Sequence, residues 1–281
     1  MPKVSVIVPN YKHAPYLRER LDSIFQQSMG DFELIFLDDA SGDGSVEIAQ
    51  TYRNDTRFTA LVENESNSGS TFKQWEKGLQ LAQGEYIWLA ESDDRAHPEF
   101  LAELCRALDE HPELNVAYTS SLWIDEDGKE IHRPSHEEGD QITLGLTLLQ
   151  DAFLQGPVVY NASSALFRKP AKVDFELLRT FRYTGDWLFW VMQAGESGMI
   201  RLDRRYNYFR RHANNVSFRS EKEGLLFLEG FRILQYIYQH YQVGWFNRRK
   251  AALRWSRRIG EFREGVPGEV LFYHRLFSLF K

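Results

Sequence analysis

Short runs of consecutive apolar residues recur along the first half of the chain, and segments with helical spacing separate them. Four such runs predict buried strands: 4–8, 32–37, 58–62 and 86–90. Between them, apolar residues three or four positions apart predict helices that bury Leu17, Leu21, Trp75 and Leu79. Strands that alternate with helices in this way predict an α/β fold, with a mostly parallel sheet flanked by helices.

The pattern is less regular beyond residue 115. Apolar runs predict strands at 116–124 and 163–167, and helical spacing predicts helices at 186–192 and 225–241. The chain shows neither an internal repeat nor a low-complexity linker. The plausible boundary lies near residue 220, where a basic and aromatic segment begins shortly afterwards.

Composition limits the classes of function. The 281 residues carry a net charge of −6, but residues 243–281 carry +6 and the first 242 carry −12. An acidic body lacks the basic stripe that nucleic-acid binding requires, so we expect no nucleic-acid partner. The single cysteine, Cys105, excludes an internal disulfide framework and a Cys-based zinc site. Because no apolar run is long enough for a signal sequence or a membrane span, we expect a cytoplasmic protein.

The basic segment 243–281 has two interpretations, which the sequence leaves open. Aromatic residues such as Trp245 and Trp255 alternate there with arginines such as Arg249 and Arg258. Such a segment can lie peripherally on an anionic membrane surface, here the inner face of the cell membrane, with arginines reaching the lipid headgroups. It can equally pack on the acidic body as an amphipathic lid, or form a contact between subunits of an oligomer.

Two acidic loops follow predicted strands, at the sheet edge where α/β proteins bind ligands. Residues 91–94 read ESDD, and carboxylates this close favour either a Mg²⁺ or Mn²⁺ site or a solvated loop that caps the next helix. Residues 38–45 read DDASGDGS and form either a helix-capping turn or a calcium loop. The calcium interpretation fails because Gln50 stands where a bidentate Glu is needed and a strand precedes the loop.

Three motifs in order resemble family 2 glycosyltransferases over about residues 1–218. They are VSVIVPNY at 4–11, LDDASGDGS at 37–45, and GEYI at 84–87 running into ESDD at 91–94. The resemblance implies the GT-A fold, a nucleotide-sugar donor, a divalent metal and inversion at the anomeric carbon. It also implies a catalytic domain over 1–220, with a nucleotide-sugar half at about 1–115 and an acceptor half at about 116–220. A helical, basic extension would follow at 221–281.

The resemblance assigns several residues to the nucleotide. Pro9 and Tyr11 would line the base pocket, with Tyr11 packing on the base. Asp39 would accept the imino proton of the base, which suits uracil or thymine and is also offered by guanine. Lys12 departs from the family, which often has Asn at this position. The usual Arg-Asn pair is absent near Lys73, which either supplies a cation to the nucleotide or is a solvated helix lysine.

The remaining nucleotide contacts come from the second acidic loop and from the segment RRHANNVS at 210–217, which resembles a terminal motif of the family. Glu91 replaces the first Asp of the family's Asp-x-Asp motif, which contacts the ribose, and Ser92 lies beside it. Arg211 would meet the diphosphate through its planar guanidinium. For the metal, Mn²⁺ or Mg²⁺, the resemblance implies Asp93 and His212, with Asp94 as a partner or an alternative ligand.

The chemical step would use a carboxylate in the second half of the chain. Asp186, in the sequence GDW, resembles the catalytic base, which takes the proton of the acceptor hydroxyl. Alone, an Asp at this point is commonly a helix cap. We expect Asn161, Ser163 and Trp187 to face the acceptor.

We therefore predict an inverting, metal-dependent glycosyltransferase that moves a sugar from a UDP- or dTDP-sugar to a hydroxyl of a glycan or a lipid-linked acceptor. By resemblance, its setting is bacterial surface-polysaccharide assembly. A non-catalytic nucleotide-sugar binding module is the alternative, but it would not need Asp93, Asp186 and His212 together. The segment 9–15 lacks the glycine-rich loops of nucleotidyltransferases and Rossmann oxidoreductases.

Overall fold

A computed structural model describes residues 1–132, 139–212 and 225–261 of the chain. The strands in this part are β1 Val4–Asn10, β2 Phe32–Asp38, β3 Phe58–Glu63, β4 Tyr86–Leu89, β5 Arg95–Ala96, β6 Val116–Ile124, β7 Glu130–His132, β8 Gln141–Leu144, β9 Ala165–Arg168 and β10 Gly198–Arg210. The helices are α1 Ala14–Phe25, α2 Ser45–Gln50, α3 Thr71–Leu81, α4 Phe100–Glu110, α6 Phe175–Leu178, α7 Gly185–Ala194, α8 Leu225–His240 and α9 Trp245–Glu261. Three consecutive short pieces, Gly145–Thr147, Leu148–Ala152 and Phe153–Gln155, together make α5.

The described strands form one mixed sheet in the order β3-β2-β1-β4-β9-β6-β10-β5, with β7 paired to β6 and β8 to β10. The four strands from β3 to β4 are parallel, and β6 is parallel to β10. Between these groups β9 runs antiparallel to both β4 and β6. The predicted α/β architecture with flanking helices is confirmed, and the parallel arrangement holds on either side of β9.

Helices cover both faces of the parallel strands, which explains why β1 and β2 are buried along their whole length. On one face, Val6 of β1 belongs to a core cluster with Leu21 of α1 and Leu104 of α4. On the other face, α3 approaches so closely that a Cβ atom at Gly78 would lie 2.4 Å from the side chain of Ile7. This packing fixes the carboxyl ends of the strands, from which the acidic loops emerge.

The sequence pattern did not predict several of these elements, among them β5 and β10. β5 contains only two residues, and it pairs with β10 immediately after the second acidic loop. β10 runs for 13 residues, but charged side chains interrupt its apolar positions between Arg201 and Arg205. Neither segment contains the continuous apolar run from which a buried strand is predicted.

Contacts divide the chain into two compact units. The first comprises Met1–Ile142, Asn161–Phe175 and Met199–Arg211, and the second comprises Thr143–Tyr160, Glu176–Gly198 and His212–Lys281. The first contains most of the sheet with helices α1 to α4, and the second contains α5, α7, α8 and α9. The division expected at residue 220 falls outside the described residues and stays a prediction.

Helix α9 lies in the second unit with two different faces. On one face Trp255 is buried, stacks on Trp187 of α7 and donates from Nε1 to the carbonyl of Leu154 at 2.9 Å. On the other face Trp245 and Phe246 are 60% and 80% exposed. The helix therefore packs as an amphipathic element while leaving an aromatic surface open. None of the helices in the described ranges is both long and apolar enough to cross a bilayer.

Candidate functional site

The ends of β1 and β2 meet in a buried polar network. Asn10 lies opposite Asp38 in the parallel register, and its Nδ2 donates to Asp38 Oδ1 at 2.7 Å. The backbone N–H and the hydroxyl of Ser41 also donate to the Asp38 carboxylate, at 2.8 and 2.6 Å. These hydrogen bonds, which all converge on the buried Asp38 carboxylate, hold the first acidic loop against the strand ends.

Asp39 lies next in this loop and accepts hydrogen bonds on both carboxylate oxygens. Oδ1 accepts from Asn64 Nδ2, Ser68 N and Gln74 Nε2 at 2.6, 2.8 and 2.9 Å. Oδ2 accepts from Asn67 Nδ2 at 3.2 Å and Ser68 Oγ at 2.8 Å. A carboxylate has about four acceptor sites, so the protein uses this capacity fully. An imino contact from a base would require one of these donors to move.

The other residues assigned to the base lie close by. Pro9 is buried within β1, and Tyr11, just beyond the strand, is 42% exposed with Lys12 Nζ 5.1 Å from its ring centroid. Lys12 has a positive φ of 58°, which only Gly, Asn and Asp adopt readily. This conformation gives a physical reason for the Asn that the family often has there. Lys73 lies in the first turn of α3 and donates to the carbonyl of Ser68 at 2.9 Å.

The second acidic loop places a desolvated carboxyl beside a buried guanidinium. Trp75 Nε1 donates to Glu91 Oε1 at 3.1 Å, and burial, with the nearby charge of Asp93, raises the pKa of Glu91 to about 8. Arg20 is fully buried and stacks 4.6 Å from the ring centroid of Trp88. Burial lowers the pKa of Arg20 to about 10, against the opposing effect of the loop carboxylates. This charge partly offsets the repulsion within the loop.

Asp94 anchors the loop to its neighbours. Its Oδ2 accepts from Asn161 Nδ2 at 2.9 Å, and its Oδ1 accepts from the backbone N–H of Arg210 at 3.0 Å. Burial raises the pKa of Asp94 to about 6, and the charge of Asp93 acts in the same direction. Ser163 is fully buried, and its hydroxyl accepts the N–H of Glu91 at 3.0 Å.

These contacts involve two residues that we expect to face the acceptor. Asn161 is only 8% exposed and Ser163 is fully buried, and both side chains hold the acidic loop in place. Their contact with an acceptor stays a prediction. Arg210, which is 1% exposed, has a similar supporting role because its Nε donates to the carbonyl of Asp93 at 2.8 Å. Its Nη1 donates to the carbonyls of Asp125 and Glu126, and its Nη2 donates to the carboxylate of Glu19.

Asp93 lies in a cluster that can hold a metal ion. Ligand atoms of His13, Asp93 and His212 lie within 4.8 Å of one another. His212 is the first residue of the third segment of the second unit, and it directly follows Arg211, the last residue of the first unit. The Nδ1 atom of His13 is hydrogen-bonded to Ser92 Oγ at 2.9 Å, which orients the ring. Two imidazoles and a carboxylate form a donor set that fits a divalent metal.

The sequence analysis did not select His13 or Arg20, and it assigned no role to Arg210, the first residue of the segment 210–217. His13 lies two positions after Tyr11, beyond the carboxyl end of β1. This position is the feature of the sequence that could have indicated its place in the site. Arg211 donates its backbone N–H to Ile124 O at 2.8 Å, and its guanidinium lies 4.9 Å from the ring centroid of Trp123. Residues 213–217 of the terminal motif lie outside the described part of the chain.

Asp186 lies in the second unit, in the first turn of α7. It is partly exposed, and its Oδ1 accepts the N–H of Trp187 at 2.8 Å. Desolvation, with a smaller effect of the Glu229 charge, raises the pKa of Asp186 to about 6. A partly accessible carboxylate with this pKa is suited to general-base chemistry near neutral pH. Trp187 is fully buried in the core of this unit, and its contact with the acceptor stays a prediction.

A family model, described as glycosyl transferase family 2, matches residues 5–174, which include both acidic loops. The chain belongs to this family. The family motifs at the ends of β1, β2 and β4 are therefore the same segments that form the polar networks described above.

One relative is the poly(ribitol-phosphate) beta-N-acetylglucosaminyltransferase TarS of Staphylococcus aureus. It is 35% identical over 113 residues, which are 40% of this chain and 20% of TarS. The chain thus spans about a fifth of the length of that relative. A crystal structure of TarS residues 1–349 in complex with UDP aligns with a TM-score of 0.67 at 22% identity, over 92% of this chain and 72% of that one.

A second solved structure with a similar fold is the mannosyltransferase PcManGT from Pyrobaculum calidifontis, in complex with GDP-Man and Mn²⁺. It aligns with a TM-score of 0.55 at 17% identity, over 99% of this chain and 80% of that one. At these identities the two structural matches establish the GT-A fold, as expected from the motifs.

Proposed function

We propose that this protein is an inverting, metal-dependent glycosyltransferase that uses a UDP- or dTDP-sugar and acts on a hydroxyl of a glycan or lipid-linked acceptor. The observation that carries the proposal is the cluster of His13, Asp93 and His212 at the sheet edge that also bears Asp39. A nucleotide diphosphate needs both a cation and a base pocket. In this chain the two features lie on neighbouring loops of one sheet.

The relatives support the donor class and the stereochemistry. TarS is named as a β-transferase of N-acetylglucosamine, and its structure contains UDP. Because UDP-N-acetylglucosamine is α-linked, a β product results from inversion. The polymer named for TarS also fits the expected setting of bacterial surface-polysaccharide assembly.

The nucleotide would lie across the carboxyl ends of β1, β2 and β4. Tyr11 would stack on the base, and Asp39 would receive its imino proton after a donor of the 64–68 segment moves aside. Glu91 would meet the ribose, with Ser92 beside it, and Arg211 would meet the diphosphate. When bound, the metal supplies positive charge against the diphosphate leaving group, held by His13, Asp93 and His212 with Asp94 beside them.

The proton of the acceptor hydroxyl would pass to Asp186. As the acceptor oxygen bonds to the anomeric carbon, the bond from that carbon to the diphosphate oxygen breaks with inversion. The carboxylate Oδ atoms of Asp186 take the proton that the hydroxyl loses. The partial exposure of this residue lets an acceptor reach it.

The test begins with a thermal-shift panel of UDP, dTDP, GDP and their sugars, with Mn²⁺ and with Mg²⁺. A bound ligand at a hundred times its dissociation constant should stabilise the protein by about 2.7 kcal/mol. UDP-N-acetylglucosamine is the first donor to assay, and release of nucleoside diphosphate is the readout. A donor that binds but never turns over with any glycan or lipid-linked acceptor would favour the binding module instead, and absence of any nucleotide binding would refute the proposal.

We also propose that α9 attaches the protein to an anionic membrane surface. Trp245 and Phe246 are exposed on the same helix as Arg249, Lys250 and Arg254, which are also exposed. Aromatic side chains favour the headgroup layer, and basic residues near an anionic leaflet contribute about 1 kcal/mol each. A lipid-linked acceptor would then lie close to the enzyme.

Vesicle co-sedimentation tests this attachment. The protein should pellet with phosphatidylglycerol vesicles at low salt and not with phosphatidylcholine vesicles. Replacing Trp245 and Phe246 by Ser should abolish pelleting, whereas Tyr160→Ser, at another highly exposed aromatic of the same unit, should not. Deletion of 243–281 is the poorer test, because it removes Trp255 from the core. Intact protein that stays in the supernatant with anionic vesicles would refute membrane attachment.

A further inference from the structure

A buried carboxylate on α8 binds the loop that leads into α7. Glu229 is 7% exposed, and its Oε1 accepts the N–H of Arg182 at 2.6 Å. Its Oε2 accepts the N–H groups of Tyr183 and Thr184 at 3.0 and 2.8 Å, and the hydroxyl of Thr184 at 3.0 Å. One side chain thus satisfies three consecutive backbone N–H groups. Hydrogen bonds to a charged acceptor are about twice as strong as neutral ones, so the loop is held firmly.

A second side chain of α8 holds the other end of the same loop. Arg232 lies three positions after Glu229, and its Nη1 and Nη2 donate to the carbonyl and the hydroxyl of Thr180 at 3.1 and 2.5 Å. Its guanidinium lies 4.2 Å from the ring centroid of Phe181. Residues three apart share one helix face, so both side chains project toward the loop.

The position of Glu229 along α8 is itself fixed by close packing. A Cβ atom at the next residue, Gly230, would lie 2.6 Å from the ring of Trp255 and 3.4 Å from the ring of Trp187. These two rings are stacked with centroids 5.8 Å apart and an angle of 3° between their planes. The backbone of α8 therefore rests directly on the aromatic pair beside the first turn of α7.

The loop determines where Asp186 points. The carbonyl of Thr184 accepts the N–H of Trp187 at 3.1 Å and of Leu188 at 3.4 Å, which starts α7. Asp186 lies in this turn, two residues after the last group that Glu229 binds. We propose that Glu229 is a positioning residue for Asp186, acting through the loop 182–184 and the first turn of α7. The inference rests on the proposed function, in which Asp186 is the base.

The proposal predicts that a change at Glu229 lowers turnover without weakening donor binding. A displacement of about 1 Å in a catalytic group can lower a rate about a hundredfold. Glu229→Ala should therefore lower kcat for release of UDP from UDP-N-acetylglucosamine, or from the donor selected by the panel, at least tenfold. The donor KM should stay within about twofold. Rates are normalised to the nucleotide-binding sites counted by calorimetry, so that unfolded protein does not enter the comparison.

Two further variants show whether the effect passes through the loop. Glu229→Gln keeps an oxygen that can accept most of the donors, so it should recover most of the lost kcat. Glu176→Ala, at an exposed carboxylate of the same unit, should leave kcat unchanged. Hydrogen exchange read by mass spectrometry should show lost amide protection at 182–184 in Glu229→Ala, and retained protection in Glu176→Ala.

The outcomes distinguish this proposal from the proposed function. If Asp186→Asn is inactive and Glu229→Ala turns over at the normal kcat, the positioning role is wrong while the base remains. If Asp186→Asn is active, the base and the positioning role both fail. If Glu229→Ala does not fold, Thr184→Val decides, because it removes the hydroxyl that donates to Glu229. A normal kcat in Thr184→Val would then overturn the proposal, and a lowered kcat with an unchanged donor KM would support it.

Discussion

Replacement of Asp186 by Asn should stabilise the folded protein while it lowers transfer at least about a hundredfold. Burial removes the Asp186 carboxylate from water, which disfavours its charged form, and the negative charge of Glu229 lies nearby. The charged form of this proposed catalytic base therefore destabilises the folded protein. The isosteric amide removes the charge and keeps the oxygen that accepts the N–H of Trp187.

The size of the effect follows from the pKa. A rise from 3.8 to about 6 corresponds to about 3 kcal/mol, at about 1.4 kcal/mol for each pKa unit. Partial exposure of Asp186 and an unpartnered amide N–H₂ in the variant both reduce this value, so we expect a gain of about 1–2 kcal/mol at pH 7.5. The pKa of Asp186 is higher in the folded protein than in the unfolded chain. Its contribution to the free energy of unfolding of the wild type therefore falls as the pH rises from about 4 to about 6.

Urea unfolding of both proteins at several pH values measures this difference. The free energy of unfolding of Asp186→Asn minus that of the wild type should increase between pH 4 and pH 6.5 and then stay level. Glu176→Gln controls for the loss of one exposed negative charge. If the difference in the free energy of unfolding is the same at pH 4 and pH 7.5, the idea that desolvation raises the pKa of Asp186 is refuted. Transfer by Asp186→Asn should fall at least about a hundredfold, and near-normal turnover would remove Asp186 from the mechanism.

Three smaller predictions concern the nucleotide half and the proposed catalytic base. Asp93→Asn should weaken Mn²⁺-dependent nucleotide binding measured by calorimetry, and equal affinities in both proteins would contradict the metal role; Asp127→Asn, at an exposed carboxylate, is the control. Lys12→Asn should raise the free energy of unfolding by about 0.5–1 kcal/mol, because Asn tolerates a positive φ better; an unchanged urea midpoint would contradict this. Wild-type transfer should rise with pH through about 6, where Asp186 ionises, and a rate that is level between pH 5 and pH 8 would count against this base.

Much of the first half of the chain could be predicted because its apolar runs are continuous. Residues 4–8 and 32–37 are strands buried on both faces, and no polar residue other than Glu33 and Ser5 interrupts them. These two polar residues bond each other at 2.6 Å, which lets them lie inside the sheet. β10 could not be predicted, since its polar side chains find partners only after the chain has folded.

The motif residues of the site could be predicted from the sequence, but the residues that hold them in place could not. Asp39 and Asp93 lie in loops that directly follow strands, and the sequence pattern places both. The contributions of His13 and Arg210 depend on contacts between segments that are 80 or more residues apart, such as Arg210 with Asp93. Asn161 and Ser163 were selected as polar residues in a loop, but burial decides what such residues contact, and burial is set by tertiary packing.

Glu91 shows how a departure from the family motif can suit the site in which it occurs. The extra methylene of Glu, compared with Asp, lets the carboxyl reach the indole N–H of Trp75. Desolvation there raises its pKa to about 8, and the charge of Asp93 acts in the same direction. The buried guanidinium of Arg20 acts in the opposite direction, so it offsets part of the repulsion within the loop. The longer side chain therefore ties the second acidic loop to α3 through Trp75, while the charge that it adds lies close to a buried cation.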